Sequence, residues 1–214
     1  MPHLSLSLPL AVAASLPLGW ALHRLVRWQA EGRHLPFPVA IPASAAVAVW
    51  AALVMPATYL LVATILLGWV LLALSVVDFL ALRLPDVLTL PLTAIGLLLA
   101  LFLPESRPLT HLIGAAAGFF ALYGIALLYR ALRGREGLGL GDAKLAAAAG
   151  AWLGWQALPF VVLIACAAGF VWVGVAMMLR GRAAVQEEIA FGVPLCFAIW
   201  LVWLYGVPGF MLGS

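Results

Sequence analysis

Charge is what this sequence lacks most. Only 9% of its 214 residues are Asp, Glu, Lys or Arg, and 66% are hydrophobic. Soluble domains run at about 25% charged and roughly 45–50% apolar. So little charge cannot cover a surface that faces water. With a mean hydropathy of +1.17, the chain reads as a protein whose main solvent is lipid. Cysteine is scarce as well. Cys166 and Cys196 stand far apart, each inside an apolar run and in no CxxC pair. That excludes a zinc ribbon and a disulfide framework, and leaves two apolar thiols. The histidines His3, His23, His34 and His111 are scattered, so no metal centre is expected. No organic cofactor and no nucleic-acid partner is implied either.

What the chain does have is a series of long apolar runs. A spanning helix needs about 20 apolar residues, with a range of roughly 17–25. Candidate spans are 4–22, 39–55, 58–77, 87–103, 109–129, 145–158, 160–179 and 190–211. The sixth is short and is expected to end at Pro159, tilted or partly re-entrant. The N-terminal run has no basic stretch ahead of it, so it reads as a retained first helix and not as a signal peptide. The fold class expected is all-α, a polytopic membrane protein of about eight transmembrane helices. It is read as a single domain over residues 1–214.

The connections test this count. Arg24, Arg27, Arg33, Arg83, Arg130, Arg133, Arg135, Lys144, Arg180 and Arg182 all fall in or beside odd-numbered loops, and only Arg107 falls in an even one. Such an asymmetry orients a membrane protein with its odd loops in the cytoplasm. The acidic residues Glu31, Asp78, Asp86, Glu136, Asp142, Glu187 and Glu188 lie on the same side. Acid–base chemistry is therefore expected near the cytoplasmic face, with the lipid bilayer around it.

Two stretches carry the candidates. The first is Gly137-Leu-Gly-Leu-Gly-Asp-Ala-Lys-Leu145. Its glycines, including Gly139 and Gly141, free the backbone for positive φ and for close approach to another chain. Asp142 follows, and a helix is expected to begin there with Asp142 as its N-cap. A phosphate-loop reading is weak, because no strand precedes the glycines and no GKS or GKT follows. The second stretch runs from Ser75 to Thr89. Asp78 ends a long apolar helix with no basic residue adjacent, and an ionisable residue at the edge of a span is a functional candidate by default. Asp86 follows Pro85 and reads as an N-cap.

Asp78 and Asp142 thus both stand at helix ends on one side of the membrane. Two carboxylates brought together where water is scarce cannot both ionise easily, so one keeps a proton. The ionised one can take a proton from water while the other polarises a peptide carbonyl. That is the working arrangement of an aspartyl protease. No serine or cysteine has a plausible base near it in sequence.

Residues 137–154, GLGLGDAKLAAAAGAWLG, resemble the GxGD signature segment of the bacterial type IV prepilin peptidases. Residues 76–92, VVDFLALRLPDVLTLPL, resemble the segment that holds that family's first catalytic aspartate. Residues 190–195, AFGVPL, are similar to its FGP element, with Val193 inserted before Pro194. The resemblance covers about residues 60–205. It implies that Asp78 and Asp142 are the catalytic pair, with Gly139, Gly141 and Lys144 supporting the motif. It further implies a substrate that is a type IV prepilin or a type II secretion pseudopilin precursor, cut at its short basic leader at the cytoplasmic face of the bacterial inner membrane.

The N-terminal quarter departs from the pattern. Bacterial members usually carry a cytoplasmic insert with two CxxC pairs after the first helix, and many also N-methylate the cleaved pilin. Here loop one runs only from His23 to about Pro38 and has no cysteine, and Gly19 to His23 match the family's GSFLNV-like segment poorly. Only the peptidase module carries over. A different GxGD protease, of the presenilin type, is disfavoured because no PAL motif stands near the C-terminus. A transporter or assembly scaffold that binds protons or cations through the same aspartates is the rival from another class.

The remaining features have plain readings. Lys144 is expected to snorkel to the interface, with tuning of Asp142 as its functional alternative. The nine tryptophans read mostly as interface anchors. Gly114 and Gly118 form a small-xxx-small pair for helix packing. Glu187 and Glu188 favour the N-terminus of the last helix, or help to hold the leader's positive charge.

Overall fold

The computed structural model describes residues 4–29, 37–55, 59–102, 107–134, 139–180 and 190–207. These residues form α1 (Leu4–Gln29), α2 (Phe37–Val54), α3 (Tyr59–Ala81), α4 (Asp86–Phe102), α5 (Pro108–Arg133), α6 (Leu140–Leu153), α7 (Leu158–Arg180) and α8 (Gly192–Tyr205). There is no strand among them. A helix satisfies its backbone within its own segment, one of the two ways open to a lipid-solvated chain. Among the described residues, three helical stretches are long and apolar enough to cross a bilayer: Leu60–Ala81, Pro108–Arg133 and Trp155–Arg180. Val39–Val54, Asp86–Phe102 and Gly192–Tyr205 are apolar but shorter.

The chain divides into two compact units, Met1–Ala81 and Leu82–Ser214. In the first, α1, α2 and α3 pack through Leu22, Val26, Ala48, Leu67, Leu71, Leu74 and Val77, all buried. Small residues let the backbones close up. A Cβ on Gly19 would come within 2.9 Å of the Ile41 Cα on α2. The Trp69 indole N–H donates to the Leu18 carbonyl across 3.0 Å, tying α3 to α1.

In the second unit α6 is the centre, packed by α4, α5, α7 and α8. Its Ala143, Leu145, Ala146, Ala148, Ala149 and Ala151 are all buried. A helix apolar on every side belongs inside, and alanine is its natural content where neighbours lie close. The expected Gly114–Gly118 pair does pack in this way. Gly114 meets the carbonyl of Gly150, and Gly118 meets that of Ala146. Trp152 is a core residue and not an interface anchor. It is buried, its indole N–H donates to the Leu92 carbonyl at 2.8 Å, and its ring makes an edge contact with Trp203 at 5.3 Å. Opposite it, Gly96 of α4 leaves the space that the Trp152 ring fills. His111 of α5 donates from Nδ1 to the Ala151 carbonyl at 3.0 Å.

Two boundaries differ from expectation. The break after α6 comes at Gly154 and not at Pro159. Gly154 turns at φ +81°, a conformation that L side chains rarely adopt, and a 3-10 turn over Trp155–Ala157 follows. Pro159 is instead the second residue of α7, where it has no intrahelical N–H to lose. The start of α6 comes at Leu140, inside the glycine-rich stretch and ahead of Asp142, where the helix was expected to begin.

Candidate active site

A carboxylate inside an apolar helical protein is costly unless something needs it there. Among the described residues only two Asp or Glu side chains are buried: Asp78 at 5% exposure and Asp142 at 8%. They are the two that the sequence singles out. Asp78 lies in the last turn of α3, in the first unit, and Asp142 in the first turn of α6, in the second.

The surroundings of Asp142 follow from local chemistry. Gly139, extended at φ −76° and ψ 149°, is the N-cap of α6, and Asp142 stands at the third helical position. The N-cap expected of Asp142 is therefore corrected. Its carboxylate Oδ2 reaches back and accepts the Gly139 N–H at 3.2 Å, while its own N–H donates to the Gly139 carbonyl at 3.2 Å. Glycine has no side chain to close a full capping box, so the aspartate supplies the one side-chain bond. It sits where the positive end of the helix dipole favours an anion.

The glycines of the motif divide the work. Gly139 makes no use of positive φ. Gly141 serves close approach, because a Cβ there would come within 2.8 Å of the Leu84 Cβ. The segment before α4 can therefore lie against the start of α6.

Lys144 pairs with a residue that neither expectation named: its Nζ is 2.6 Å from Oδ1 of Asp86. Asp86 is the first residue of α4, and Pro85 supplies the carbonyl that accepts from Leu88 and Thr89 at 3.0 and 3.1 Å. Two contacts, Lys144–Asp86 and Gly141–Leu84, thus fasten the 84–86 segment to the first turn of α6. Sequence reasoning missed this because 58 residues separate the two charges. Thr89 was also missed: it is fully buried on α4, with its hydroxyl directed to the Pro85 carbonyl. Glu187 and Glu188 lie outside the described residues.

Compared with known proteins, the chain matches the type IV leader peptidase family over residues 65–174. It belongs to that family. The matched segment holds Asp78, Asp86, Gly139, Gly141, Asp142 and Lys144, and it ends before the AFGVPL element. The leader peptidase relatives include the prepilin leader peptidase/N-methyltransferase of Aeromonas salmonicida strain A449, 44% identical over 145 residues, or 67% of this chain and 49% of the relative. The protein of that name from Burkholderia pseudomallei strain 1026b is 45% identical over 142 residues, 66% of this chain and 46% of the relative. The one from Dickeya chrysanthemi is 43% identical over 143 residues, 65% and 47%. The chain spans about half the length of these curated relatives. No solved structure matches it.

Proposed function

We propose that this leader peptidase family member is a membrane aspartyl endopeptidase with Asp78 and Asp142 as its catalytic pair. Its substrates are type IV prepilins or type II secretion pseudopilin precursors, from which it removes the short basic leader. The observation that carries this reading is the burial of those two carboxylates, and of no other described Asp or Glu, at helix ends inside the family's segment. The relatives' names bring the prepilin, and the pseudopilin precursors come from the resemblance of the sequence motifs.

In the proposed reaction one carboxylate is ionised and takes a proton from a water molecule. The other is protonated and donates toward the scissile carbonyl oxygen as the hydroxide adds. The Gly139 N–H donates to one oxygen of Asp142 and so fixes how that carboxylate is turned. The reaction uses no metal or organic cofactor. It takes place at the cytoplasmic face of the bacterial inner membrane, the side on which ten of the eleven basic residues fall. The peptidase is the only activity proposed, since loop one lacks the CxxC pairs. Glu187 and Glu188 are proposed to hold the leader's positive charge.

The test is cleavage of a purified prepilin in vitro by the wild type and by Asp78→Asn and Asp142→Asn. Release of the leader by the wild type alone supports the reading. Intact prepilin after incubation with folded wild type sinks it in favour of a non-catalytic membrane protein.

A further inference from the structure

The last three turns of α1 carry a stripe that the peptidase reading does not use. Trp20, His23, Arg24, Arg27 and Trp28 line one open groove on the helix. Their spacing of i, i+3, i+4, i+7 and i+8 places them on one face. The opposite face, Gly19, Leu22 and Val26, is buried within the first unit. Trp20 and Trp28 are both exposed, and the Arg24 guanidinium lies 5.0 Å from the centre of the Trp20 ring. Among the described residues, no carboxylate pairs with Arg24 or Arg27.

Helix length says where this stripe lies. The apolar run 4–22 spans roughly 29 Å as a helix, about the thickness of the hydrocarbon core. A helix of that length brings residues 23–29 of α1 to the headgroup layer if the apolar run fills the hydrocarbon core, with Trp20 just inside the boundary. Tryptophan favours that depth because its ring is apolar and its N–H is polar. Two arginines held one turn apart at that depth meet phosphate oxygens, for which a guanidinium is the best-matched side chain. Cation–π contact with Trp20 holds the Arg24 guanidinium in place before anything binds.

We propose that Trp20, Arg24, Arg27 and Trp28 form a binding site for the phosphate headgroup of an anionic glycerophospholipid in the leaflet that loop one faces. Arg24 and Arg27 take the phosphate, and the two indoles flank the lipid's glycerol and upper acyl carbons. Charge selects the lipid. A zwitterionic headgroup presents its own cation to the arginines and gains less.

The full chain in detergent, analysed by native mass spectrometry, tests this with dioctanoyl phosphatidylglycerol, dioctanoyl phosphatidylcholine and inorganic phosphate as probes. The wild type is expected to retain phosphatidylglycerol over phosphatidylcholine, and Arg24→Gln and Arg27→Gln are each expected to lose about fivefold of that retention. The double Arg→Lys variant keeps the charge and retains most of it. Equal retention of the two lipids by wild type overturns the proposal, as does undiminished retention by the Gln variants. Displacement of phosphatidylglycerol by an equal concentration of inorganic phosphate would mean a free-phosphate site, and would overturn it too. If one Gln variant is not recovered folded, the other carries the comparison.

Discussion

Lys144 at the start of α6 and Asp86 at the start of α4 form an ion pair of 2.6 Å. The pair stands two residues from Asp142, on a helix whose first turn is otherwise held by Gly139 and Leu84. Their side chains are 29% and 54% exposed, so water screens the pair and its worth in stability is small. Its role is to hold the two helix ends in register. Asp86→Asn and Lys144→Met should each lower cleavage several-fold, while a double-mutant cycle on unfolding shows a coupling of only about 0.2–1 kcal/mol. The exchange Asp86→Lys with Lys144→Asp should recover part of the lost kcat. No recovery would mean that the two residues act separately.

Asp78→Asn and Asp142→Asn are expected to abolish cleavage while insertion and folding survive. Asn keeps the shape of Asp but cannot take up or give a proton as a carboxyl does. Asp86→Asn should be milder than either. Leader release measured on one prepilin ranks the three. An active Asp78→Asn beside a dead Asp86→Asn would move the catalytic role along the segment.

Gly118→Ala should destabilise the second unit, because the added methyl runs into the Ala146 carbonyl of α6. Overpacking of this kind costs about 1–3 kcal/mol. Gly124→Ala on the same helix meets nothing within 4 Å and should be neutral or stabilising by roughly 0.5–1 kcal/mol. Thermal unfolding in detergent compares the two, and similar Tm values would deny the close α5–α6 approach.

The chain alone should transfer no methyl group. Purified protein incubated with labelled S-adenosylmethionine and a processed pilin is expected to leave the pilin unlabelled. Label on the pilin would show that the CxxC insert is dispensable for that chemistry.

Glu187→Lys with Glu188→Lys should raise KM for a prepilin at low salt, with kcat little changed. The rise should shrink at high salt, since attraction across a watery interface is screened. An unchanged KM at low ionic strength would leave the glutamates a purely structural role.

Much of this was legible because lipid imposes simple rules. Run length located the helices, and the scarcity of charge made each aspartate conspicuous. Gly114 and Gly118 announced a helix contact by their spacing alone. What stayed hidden depends on contacts between distant residues. Nothing near Lys144 in sequence points to Asp86. Nothing near Trp152 says that its N–H finds the Leu92 carbonyl and removes it from the interface. The end of α6 was misplaced because proline is the louder signal, yet Pro159 sits where a helix tolerates it and Gly154 makes the turn. Asp142 was placed at the cap by residue preference, although Gly139 three residues earlier leaves it the N3 role.

The enclosure of α6 has a consequence for how the chain is made. At 14 residues it measures about 21 Å, short of the hydrocarbon core, and it carries Asp142 and Lys144 in its first turn. Alanine and glycine make it a poor solute for lipid by itself. The helix is therefore expected to settle only when α5 is already in the membrane to receive it. Truncated nascent chains ending between α5 and α6 should insert stably. Chains that contain α6 with Gly114 and Gly118 both changed to leucine should leave it accessible to water-soluble thiol reagents at an introduced cysteine. The burial of Asp142 would then be acquired at the moment α6 is enclosed, and no earlier.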